Sequence, residues 1–538
     1  MASDGIFTEA VIQAGLVAAA DEMFAVLKKT AMSPIIYEVL DVGTGITDAE
    51  GNLVSSGAGI PTFVGVLDKA VRRILELHPA DGISDGDIFI TNDPYYGGVT
   101  HLSDVVVAMP VFSGARMIAW TASIAHWNDI GGMVPGSMSV TASEIFQEGL
   151  RLPAVRLFEA GRQIASVFDI IAANSRLPAF ARGDLWAQVA ASRKAASRVA
   201  QLAASHGVET FLASIASLFA EGERRALAGL ATLPKGRFSV TEEQDDGAMW
   251  KADIIIADDR FTVDLRGNPT QRAAPYNTSR DGAVISAQMI FKALSDPELF
   301  ANAGSFAPLE VLTEPGTIFD AIEPAPHGYY FETRIRLNDM LWRCMAEAMP
   351  ERLPAGHFAS ICGTVVAGSH PDTGRRYTMV EPQMGGWGAT ATRDGLDAMY
   401  SASHGETFNC PVEICEARYG IDVGWKRLNE SGEGEGLHRG GKGLEVCYRP
   451  RGEAVLSAGY SRNRIPVWGS NGGAPGGTNG IAVIRGDGSR EDYAFVSGLE
   501  LAANDTVIVS TANGGGWGQA EQDRKSDEPG RPPGRLDM

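Results

Sequence analysis

Residues 91–137 contain the pattern that decides the fold around the candidate site, and they read TNDPYYGGVTHLSDVVVAMPVFSGARMIAWTASIAHWNDIGGMVPGS. Apolar segments at 105–112 and 117–125 have the length and the β-branched content of strands. Gly-rich turns lie on either side of them, at 91–104 and 126–137. The stretch therefore predicts strands that display two polar loops.

These loops contain a repeated spacing of histidine and aspartate. The chain has nine histidines, and His101 and His126 are each followed three residues later by an acid, Asp104 and Asp129. Imidazole and carboxylate groups displayed on loops are the ligands of a mixed N/O divalent-metal site. As an alternative, the aspartates are turn formers and the histidines are satisfied interior groups. Two such pairs around one apolar run favour the metal site.

Composition narrows the class of protein. The chain has 538 residues, a length that predicts two or three domains or one elaborated core. Its content of 44% apolar and 21% charged residues is ordinary for a soluble globular protein. The net charge of −20 argues against nucleic-acid binding, because the sequence has no basic stripe that could neutralise phosphates. Five cysteines without a CxxC motif suit a reducing cytosol and predict buried free thiols. The N-terminal residues lack a signal-peptide pattern, and no run of 18 uncharged apolar residues occurs. We expect a cytoplasmic protein that does not span a membrane.

The order of patterns along the chain predicts a large α+β fold with several subdomains. Helices are expected at 7–31, 64–78, 279–298 and 334–352, with two more in the Ala-rich stretch 184–233, and strands near 37–47, 52–56 and 87–91. Residues 1–233 are predicted to form a metal-binding region with helices and a mixed sheet. Residues 234–518 are expected to be a β-dominated, Gly-rich region, and 519–538 a disordered tail.

Sixty-three glycines occur, many of them in clusters such as 431–443, 468–480 and 511–518. They predict tight turns and close backbone approaches, and in this part of the chain we favour turns and bulges of a large sheet region. The phosphate-binding pattern GxxxxGK[ST] is absent, and no GxGxxG opens a βαβ unit. The sequence thus predicts no nucleotide site of its own.

An ordered series of motifs from about residue 7 to 518 resembles the hydantoinase B/oxoprolinase family, the B-type subunits of ATP-dependent cyclic amidases. The motifs are the two loops, NSRLPAFARGDLWAQ (174–188), NCPVEICEARYG (409–420), SGEGEGLHRGGKG (431–443) and TANGGGWG (511–518). The resemblance implies a divalent metal, zinc or manganese, with Asp41, His101, Asp104 and His126 as ligands; Glu38 is the alternative to Asp41. It also implies an ATP-binding A-type partner, in a hetero-oligomer of A2B2 type.

The chain also departs from the family pattern. Many hydantoin- and oxoproline-type members have two histidines after the first hairpin, where this chain has Gly59 and Phe63 in GAGIPTFVG (57–65). The loss of two polar groups and the gain of an aromatic ring predict a more apolar pocket. This favours lactams or aromatic ketones over hydantoins or oxoproline.

The family resemblance implies a two-step reaction. The A-type partner would phosphorylate the substrate oxygen with ATP, and the metal would then lower the pKa of bound water for attack on the activated carbon. We expect Asp129 to be a carboxylate that orients His126 or acts as general base, or else a turn cap, and Asp93 and Tyr95 to position substrate. We expect the chain to be the B-type catalytic subunit of an enzyme that hydrolyses a small cyclic amide. The alternative functions are a subunit of a biotin-independent acetone or acetophenone carboxylase and a non-catalytic scaffold.

Overall fold

The structure is a computed structural model that describes residues 2–96, 98–298, 300–402, 404–405 and 407–520. Most of the predicted disordered tail, 521–538, lies outside the described residues. The helices are α1 Ala2–Thr30, α2 Pro34–Tyr37, α3 Pro61–Leu77, α4 Ala165–Ala173, α5 Pro178–His206, α6 Val208–Leu230, α7 Arg280–Ser295, α8 Tyr330–Ala348 and α9 Val412–Tyr419. Helices and several sheets together confirm the predicted α+β class.

In the described part of the chain, twenty strands form four sheets. Those of the first sheet are β1 Val42–Asp48, β2 Leu53–Gly59, β3 Ile88–Thr91, β4 Asp104–Ser113, β5 Arg116–His126, β6 Val155–Glu159 and β7 Arg162–Gln163. The second sheet contains β8 Gly236–Glu243, β9 Met249–Ile256, β10 Phe261–Asp264 and β11 Leu309–Leu312. The remaining strands are β12 Thr364–Ser369, β13 Arg376–Glu381, β14 Ile421–Leu428, β15 Leu444–Pro450, β16 Ala454–Gly459, β17 Gly480–Ile484, β18 Arg490–Tyr493, β19 Phe495–Leu501 and β20 Thr506–Ser510.

The first sheet has the order β2-β1-β5-β4-β3-β6-β7, and its strands pair antiparallel. The sequence led us to expect a mixed sheet here; instead the consecutive pairs β1–β2, β4–β5 and β6–β7 are hairpins, which require antiparallel pairing, and the remaining pairs are antiparallel as well. A parallel pair occurs in the second sheet, between β10 and β11. The other two sheets have the orders β13-β12-β16-β19 and β14-β15-β20-β17-β18.

Both faces of the central strands β4 and β5 are buried along most of their length, which explains their nearly continuous apolar sequences. In β4, Val105 and Val107 join the main hydrophobic core on the face covered by α5, whereas Val106 and Ala108 pack in a second core with α3. Successive side chains of a strand point to opposite faces, so a strand covered on both sides has little place for polar residues. Within β5 the buried polar side chains are the hydroxyls of Thr121 and Ser123, whereas Asp104 and His126 lie at strand ends.

Predicted and observed elements differ around residue 37. A strand was expected near 37–47, but Pro34–Tyr37 forms the short helix α2 and β1 begins at Val42. Pro34 occupies the first turn of this helix, where its fixed φ and missing N–H are favourable. The long helices on either side of Gly207 are present as predicted, as α5 and α6. All five cysteines are buried free thiols, as expected.

Helix α1 is long and apolar enough over Phe7–Thr30 to cross a membrane, by length and composition alone. It packs against α5 and β2. Its buried side chains include Ile12, Leu16, Ala20, Met23 and Leu27. Burial against other elements of the chain is typical of a core helix in a globular domain.

The glycine clusters of the C-terminal third form what we call the glycine layer: residues 385–389, 395–398, 434–443, 468–477 and 511–518. These segments lie mostly outside the named strands and hydrogen-bond to each other through their backbones; Gly514 N donates to Gly441 O at 2.8 Å, and Gly441 N donates to Trp387 O at 2.8 Å. A Cβ built on Gly514 would lie 2.1 Å from Trp387 O. Close backbone approach, more than turns and bulges, therefore accounts for these glycines.

Candidate metal centre

The register of three neighbouring strands brings the predicted ligands together. Asp104, the first residue of β4, is paired with His126, the last residue of β5. Asp41 directly precedes Val42, which is paired with Ala125 on the other side of β5. His101 precedes β4 by three residues, in the turn Thr100–Ser103. The four predicted ligands thus meet at one end of the sheet.

Asp104 is the centre of this group. Its Oδ1 lies 3.1 Å from His101 Nε2 and 3.1 Å from His126 Nδ1. Its Oδ2 accepts hydrogen bonds from Thr100 Oγ1 at 2.5 Å and from Tyr330 Oη at 3.3 Å. Burial by itself raises the pKa of this carboxyl, but the histidine charges and hydrogen bonds outweigh it and lower the pKa. Asp104 is therefore a carboxylate at neutral pH.

His101 is oriented by a backbone carbonyl. Its Nδ1 lies 3.0 Å from Gly328 O, which can only accept, so Nδ1 carries a proton. In the neutral ring Nε2 then presents its lone pair to the Asp104 carboxylate. Two acceptors repel at 3.1 Å unless a proton or a cation lies with them. Burial lowers the pKa of His101, but the charge and hydrogen bond of Asp104, with the carbonyl of Gly328 and the charge of Glu148, together outweigh it and raise the pKa.

The group can hold a divalent ion. One ligand atom from each of His101, Asp104 and His126 lies within 4.8 Å of the others, and all three residues are buried. Asp41 lies outside this cluster, with Oδ2 4.0 Å from His126 Nδ1. Within the described residues, His126 Nε2 and Asp41 Oδ1 are buried without a hydrogen-bond partner. Such unsatisfied donor and acceptor atoms around a carboxylate fit a bound cation.

Asp41 is the predicted ligand whose carboxyl group has fewer stabilising partners than that of Asp104. Burial, with the charge of Asp104, raises its pKa to about 7, and the histidines His126 and His101 oppose this rise. Its backbone carbonyl accepts a hydrogen bond from His126 N at 3.1 Å, which ties the two residues together. Glu38, the alternative in the sequence, caps the end of α2.

A cavity of about 30 Å³ opens among these residues. Its polar lining consists of Asp41, His101, Asp104, His126, Tyr330 and His404, and its apolar lining of Phe63, Met138, Phe331, Ile361, Gly363, Val380 and Pro382. A space of this size accommodates an ion with one or two waters. The apolar walls limit the access of bulk water to the polar end.

The sequence did not reveal two polar residues of the cavity. Tyr330 begins α8, and its hydroxyl contacts Asp104 from more than 200 positions away. His404 is buried, and its Nε2 has no hydrogen-bond partner in the described part of the chain. Burial and the nearby Arg334 charge lower the pKa of His404 to about 3, so its ring is neutral. The rarity of histidine was a signal for His404; no local pattern marks Tyr330.

Asp129 does not join the ligands. Its Oδ1 accepts from Gly131 N at 3.1 Å and from Arg176 N at 2.8 Å, and its Oδ2 from Gly136 N at 3.1 Å and from Arg176 Nη1 at 3.1 Å. The contacts with Gly131 and Gly136 close the loop that follows β5, and those with Arg176 tie this loop to the segment before α5. The structure places Asp129 as a turn cap, the alternative that the sequence left open, and not beside the ring of His126.

Asp93 and Tyr95 also lie in supporting positions. Asp93 Oδ1 accepts from the backbone N–H groups of Tyr95 and Tyr96, at 2.9 and 3.1 Å, and its Oδ2 lies 3.3 Å from Arg151 Nε. Tyr95 Oη donates to Ala325 O, and burial raises the pKa of this phenol. Both residues thus order loops beside the cavity, and neither lines it.

The two departures from the family pattern have different structural reasons. Phe63 lines the cavity, as an apolar pocket requires. Gly59 has a φ of +144°, and a Cβ there would lie 2.7 Å from Val42 O. No side chain fits at Gly59 in this backbone, so of the two positions Phe63 is the one that shapes the cavity.

Comparisons with known proteins show what the whole chain is similar to. The family model described as hydantoinase B/oxoprolinase matches residues 6–520. The chain is 29% identical to the beta subunit of the caprolactamase of Pseudomonas jessenii, over 95% of this chain and 90% of that protein. It is 28% identical to the B-type subunit of a putative D-/L-hydantoinase of Pseudomonas sp. (strain NS671), over 95% and 89%.

Solved structures extend the likeness to the fold. The crystal structure of the ATP-dependent caprolactamase from Pseudomonas jessenii has a TM-score of 0.87 at 26% identity, covering 95% of this chain and 91% of that chain. A nucleotide-free structure of acetone carboxylase has a TM-score of 0.85 at 18% identity, covering 95% and 75%. The latter likeness is one of fold alone.

Proposed function

The chain belongs to the hydantoinase B/oxoprolinase family, and we propose that it is the B-type catalytic subunit of an ATP-dependent amidase that opens a small cyclic amide. The observation that carries this proposal is the convergence of His101, Asp104 and His126 at a buried cavity with apolar walls. Relatives that match nearly the whole chain are named as subunits of a caprolactamase and of a hydantoinase.

A divalent ion, zinc or manganese, would be held by His101, Asp104 and His126, with Asp41 as the fourth ligand. When bound, such an ion acts as a Lewis acid and makes water available as a nucleophile near neutral pH. His101 is prepared for this role because its Nδ1 proton points to Gly328 O, which leaves the Nε2 lone pair for an ion. Thr100 and Tyr330 hold the second oxygen of Asp104, so this carboxylate keeps its orientation.

The rest of the cavity would receive the substrate. The neutral His404 ring can donate or accept one hydrogen bond at a polar amide group, while Phe63, Phe331 and Ile361 contact an apolar ring. A cyclic amide is larger than a cavity of about 30 Å³, so its entry requires movement of the walls. Met138, an unbranched wall residue, can adapt its shape at low cost. The apolar lining favours a lactam over hydantoins and 5-oxoproline, which carry more polar groups.

The proposal includes a partner. An unstrained amide is a poor electrophile, and this chain has no P-loop pattern that would supply a phosphate donor. We therefore assign the phosphorylation of the substrate oxygen by ATP to an A-type subunit, in a cytoplasmic hetero-oligomer of A2B2 type. The relatives from the caprolactamase and from the hydantoinase are each named as one subunit of an enzyme, which supports a separate subunit for phosphorylation.

A subunit of an ATP-dependent, biotin-independent ketone carboxylase is the second candidate. The shared fold with acetone carboxylase and the apolar side chain of Phe63 favour it. In that reaction the same residues would hold the ion, which would act as a Lewis acid toward the activated ketone. Dependence on bicarbonate separates the two functions, since amide hydrolysis consumes water and not CO2.

The test uses the complex of this chain with its A-type partner. We expect about one divalent ion per B-type chain by elemental analysis, and ATP-dependent opening of a lactam without bicarbonate. His101→Ala and His126→Ala should each remove the ion and lower activity by more than about 100-fold, because an ion contributes several kcal/mol to the transition state. His206→Ala, at the end of α5, is the matched control and should keep both.

Full turnover in a metal-free His101→Ala complex would overturn the proposal. Incorporation of labelled bicarbonate into a ketone, with no lactam opening, would favour the carboxylase. A wild-type complex that binds no ion and turns over neither substrate class would favour a non-catalytic scaffold.

A further inference from the structure

A buried carboxylate, Glu148, lies behind the candidate metal centre and has no role in the function proposed so far. It is 2% exposed and follows the short 3-10 turn Ile145–Gln147. Its Oε1 accepts from Gly328 N at 2.6 Å, and its Oε2 accepts from His327 N at 2.9 Å. The side chain therefore binds two successive backbone amides with its two oxygens.

The same turn of backbone orients His101. Gly328 O accepts the hydrogen bond from His101 Nδ1 at 3.0 Å, and the N–H of the same peptide group, on Tyr329, donates to Pro275 O at 2.9 Å. Two adjacent peptide groups are thus fixed, one by Glu148 and the next by Pro275. The position of the carbonyl behind His101 depends on both.

A side chain at position 328 would press against the Glu148 carboxylate. A Cβ built on Gly328 would lie 2.8 Å from Glu148 Oε1 and 3.4 Å from Glu148 Cδ. The contact between the carboxylate and the amide is therefore possible because residue 328 is glycine. This is a steric observation, independent of the hydrogen bonds.

The cost of burying Glu148 indicates that the contact has a purpose. A buried carboxylate is expensive unless it is paired or hydrogen-bonded, and here the groups that bind it are backbone amides. Burial raises the pKa of Glu148 to about 7; the two amides lower it, as does the positive charge that His101 can carry.

We propose that Glu148 is a positioning residue for the candidate metal ligand His101: it holds the peptide 327–328, so that Gly328 O fixes the ring of His101 and keeps the proton on Nδ1. The inference rests on the proposed metal-dependent function. Groups that orient a metal-bound histidine through its other nitrogen commonly change metal affinity by about 10- to 100-fold when they are altered. Glu148 acts one peptide further away, through the backbone.

The experiment measures binding of Zn²⁺ and Mn²⁺ by calorimetry to the complex with the A-type partner. Glu148→Gln replaces one acceptor oxygen with an NH2 group, which faces a backbone N–H and cannot accept from it. Gly328→Ala breaks the same contact from the other side. We expect about 10-fold weaker metal binding in each, and a changed visible absorption spectrum of the Co²⁺-loaded protein, since the ligand geometry changes.

Asp184→Asn is the matched control. Asp184 is also buried and its Oδ1 accepts from two successive amides, Met32 N at 2.7 Å and Ser33 N at 3.1 Å, but it anchors α5 to the end of α1. This variant should lose stability and keep the wild-type affinity and Co²⁺ spectrum. Equal affinities in wild type, Glu148→Gln and Gly328→Ala would overturn the positioning role alone.

Two further outcomes are distinct. If Asp184→Asn weakens metal binding as much as Glu148→Gln does, the effect is one of general destabilisation and the positioning role is overturned. If the wild-type complex binds neither Zn²⁺ nor Mn²⁺, the proposed function and this inference fall together.

Discussion

Asp104 shows how one residue can make a candidate site dependent on charge. Its Oδ1 contacts both imidazoles and its Oδ2 accepts from two hydroxyl groups. A carboxylate oxygen between two imidazole nitrogens can hold a proton or a metal ion, and the two compete. Metal binding at this site is therefore coupled to pH.

Asp41 gives this coupling a measurable form. Its pKa is raised to about 7 by burial and by the charge of Asp104, and an ion binds the ionised form. Below this pKa a proton must leave Asp41 before metal can bind, so we expect affinity for Mn²⁺ to fall by up to about tenfold per pH unit from this group. Above the pKa the contribution of Asp41 becomes constant. Calorimetric titrations between about pH 5.5 and 8.5, on both sides of the pKa, measure the slope.

Asp41→Asn is the control for that prediction. The amide cannot take up the proton, so metal binding should be weaker at high pH and its dependence on pH shallower by about one proton. Protonation of His101 contributes to the slope in both proteins. An unchanged slope in Asp41→Asn would contradict the assignment of the titration to Asp41.

At the residue scale, the candidate ligands could be predicted from the sequence, but the residues around them could not. His101 and Asp104 stand three positions apart in a loop, and His126 ends an apolar strand, so their chemistry is visible locally. Tyr330, His404 and Glu148 reach the site from distant segments. Nothing in the neighbouring residues marks them, because their roles arise from packing.

At the scale of elements, α8 connects the candidate site to a buried ionic cluster. Its first residues, Tyr330 and Phe331, line the cavity, and Asp339, two turns further on, is fully buried. Asp339 Oδ2 accepts from Arg462 Nη2, and Trp468 Nε1 donates to Asp339 Oδ1 at 3.2 Å. Burial tends to raise the pKa of Asp339, but the Arg462 charge and other positive neighbours hold it below its usual range.

Asp339→Asn should therefore destabilise the protein strongly. The substitution removes the negative charge of Asp339 and leaves the positive guanidinium of Arg462 buried without this partner. Breaking a buried ion pair in this way costs about 3–5 kcal/mol. We expect the free energy of unfolding, measured by denaturant titration, to fall by about that amount. Asp492→Asn removes one partner of the exposed pair with Arg490 and should leave stability unchanged. Similar stabilities of the two variants would contradict a structural role for the cluster.

Elements were predictable where their pattern was long. The apolar spacing of α1 and α3 and the apolar segments of β4 and β5 gave helices and strands close to the observed bounds. The structure of residues 34–41 was not predictable, since a four-residue helix such as α2 is too short to show any periodicity. The sheet order was also beyond the sequence, because pairings such as β1 with β5 join segments that lie far apart along the chain.

At the scale of the whole molecule, the main hydrophobic core joins distant parts of the chain. It contains Met23 and Val105 together with Phe358 and Ala512, on both sides of the predicted boundary at 234. Another core, distinct from the one with α3, contains residues of α7, α8 and the sheet β8–β11. The division into 1–233 and 234–518 remains a prediction from composition, since pattern changes along the chain do not report which segments share a core.

The glycine layer makes a prediction at this scale. A Cβ on Gly515 would lie 2.0 Å from Trp468 O, an overlap that backbone atoms on both sides cannot relieve. We expect Gly515→Ala to lower the melting temperature markedly or to yield insoluble protein, as followed by scanning calorimetry and gel filtration. Gly480→Ala, in β17, meets nothing within 4 Å and should fold like the wild type. A soluble Gly515→Ala protein with wild-type stability would contradict the close packing of the layer.

The glycine layer also has a consequence for how this molecule behaves in solution. Its amide protons, among them those of Gly441, Gly514 and Gly515, are held in hydrogen bonds between backbones although the segments are not named strands. Amide hydrogen exchange depends on opening of such bonds and not on the class of secondary structure. Exchange should therefore be slow there, and a circular dichroism spectrum, which counts helices and strands, underestimates how much of the chain is ordered.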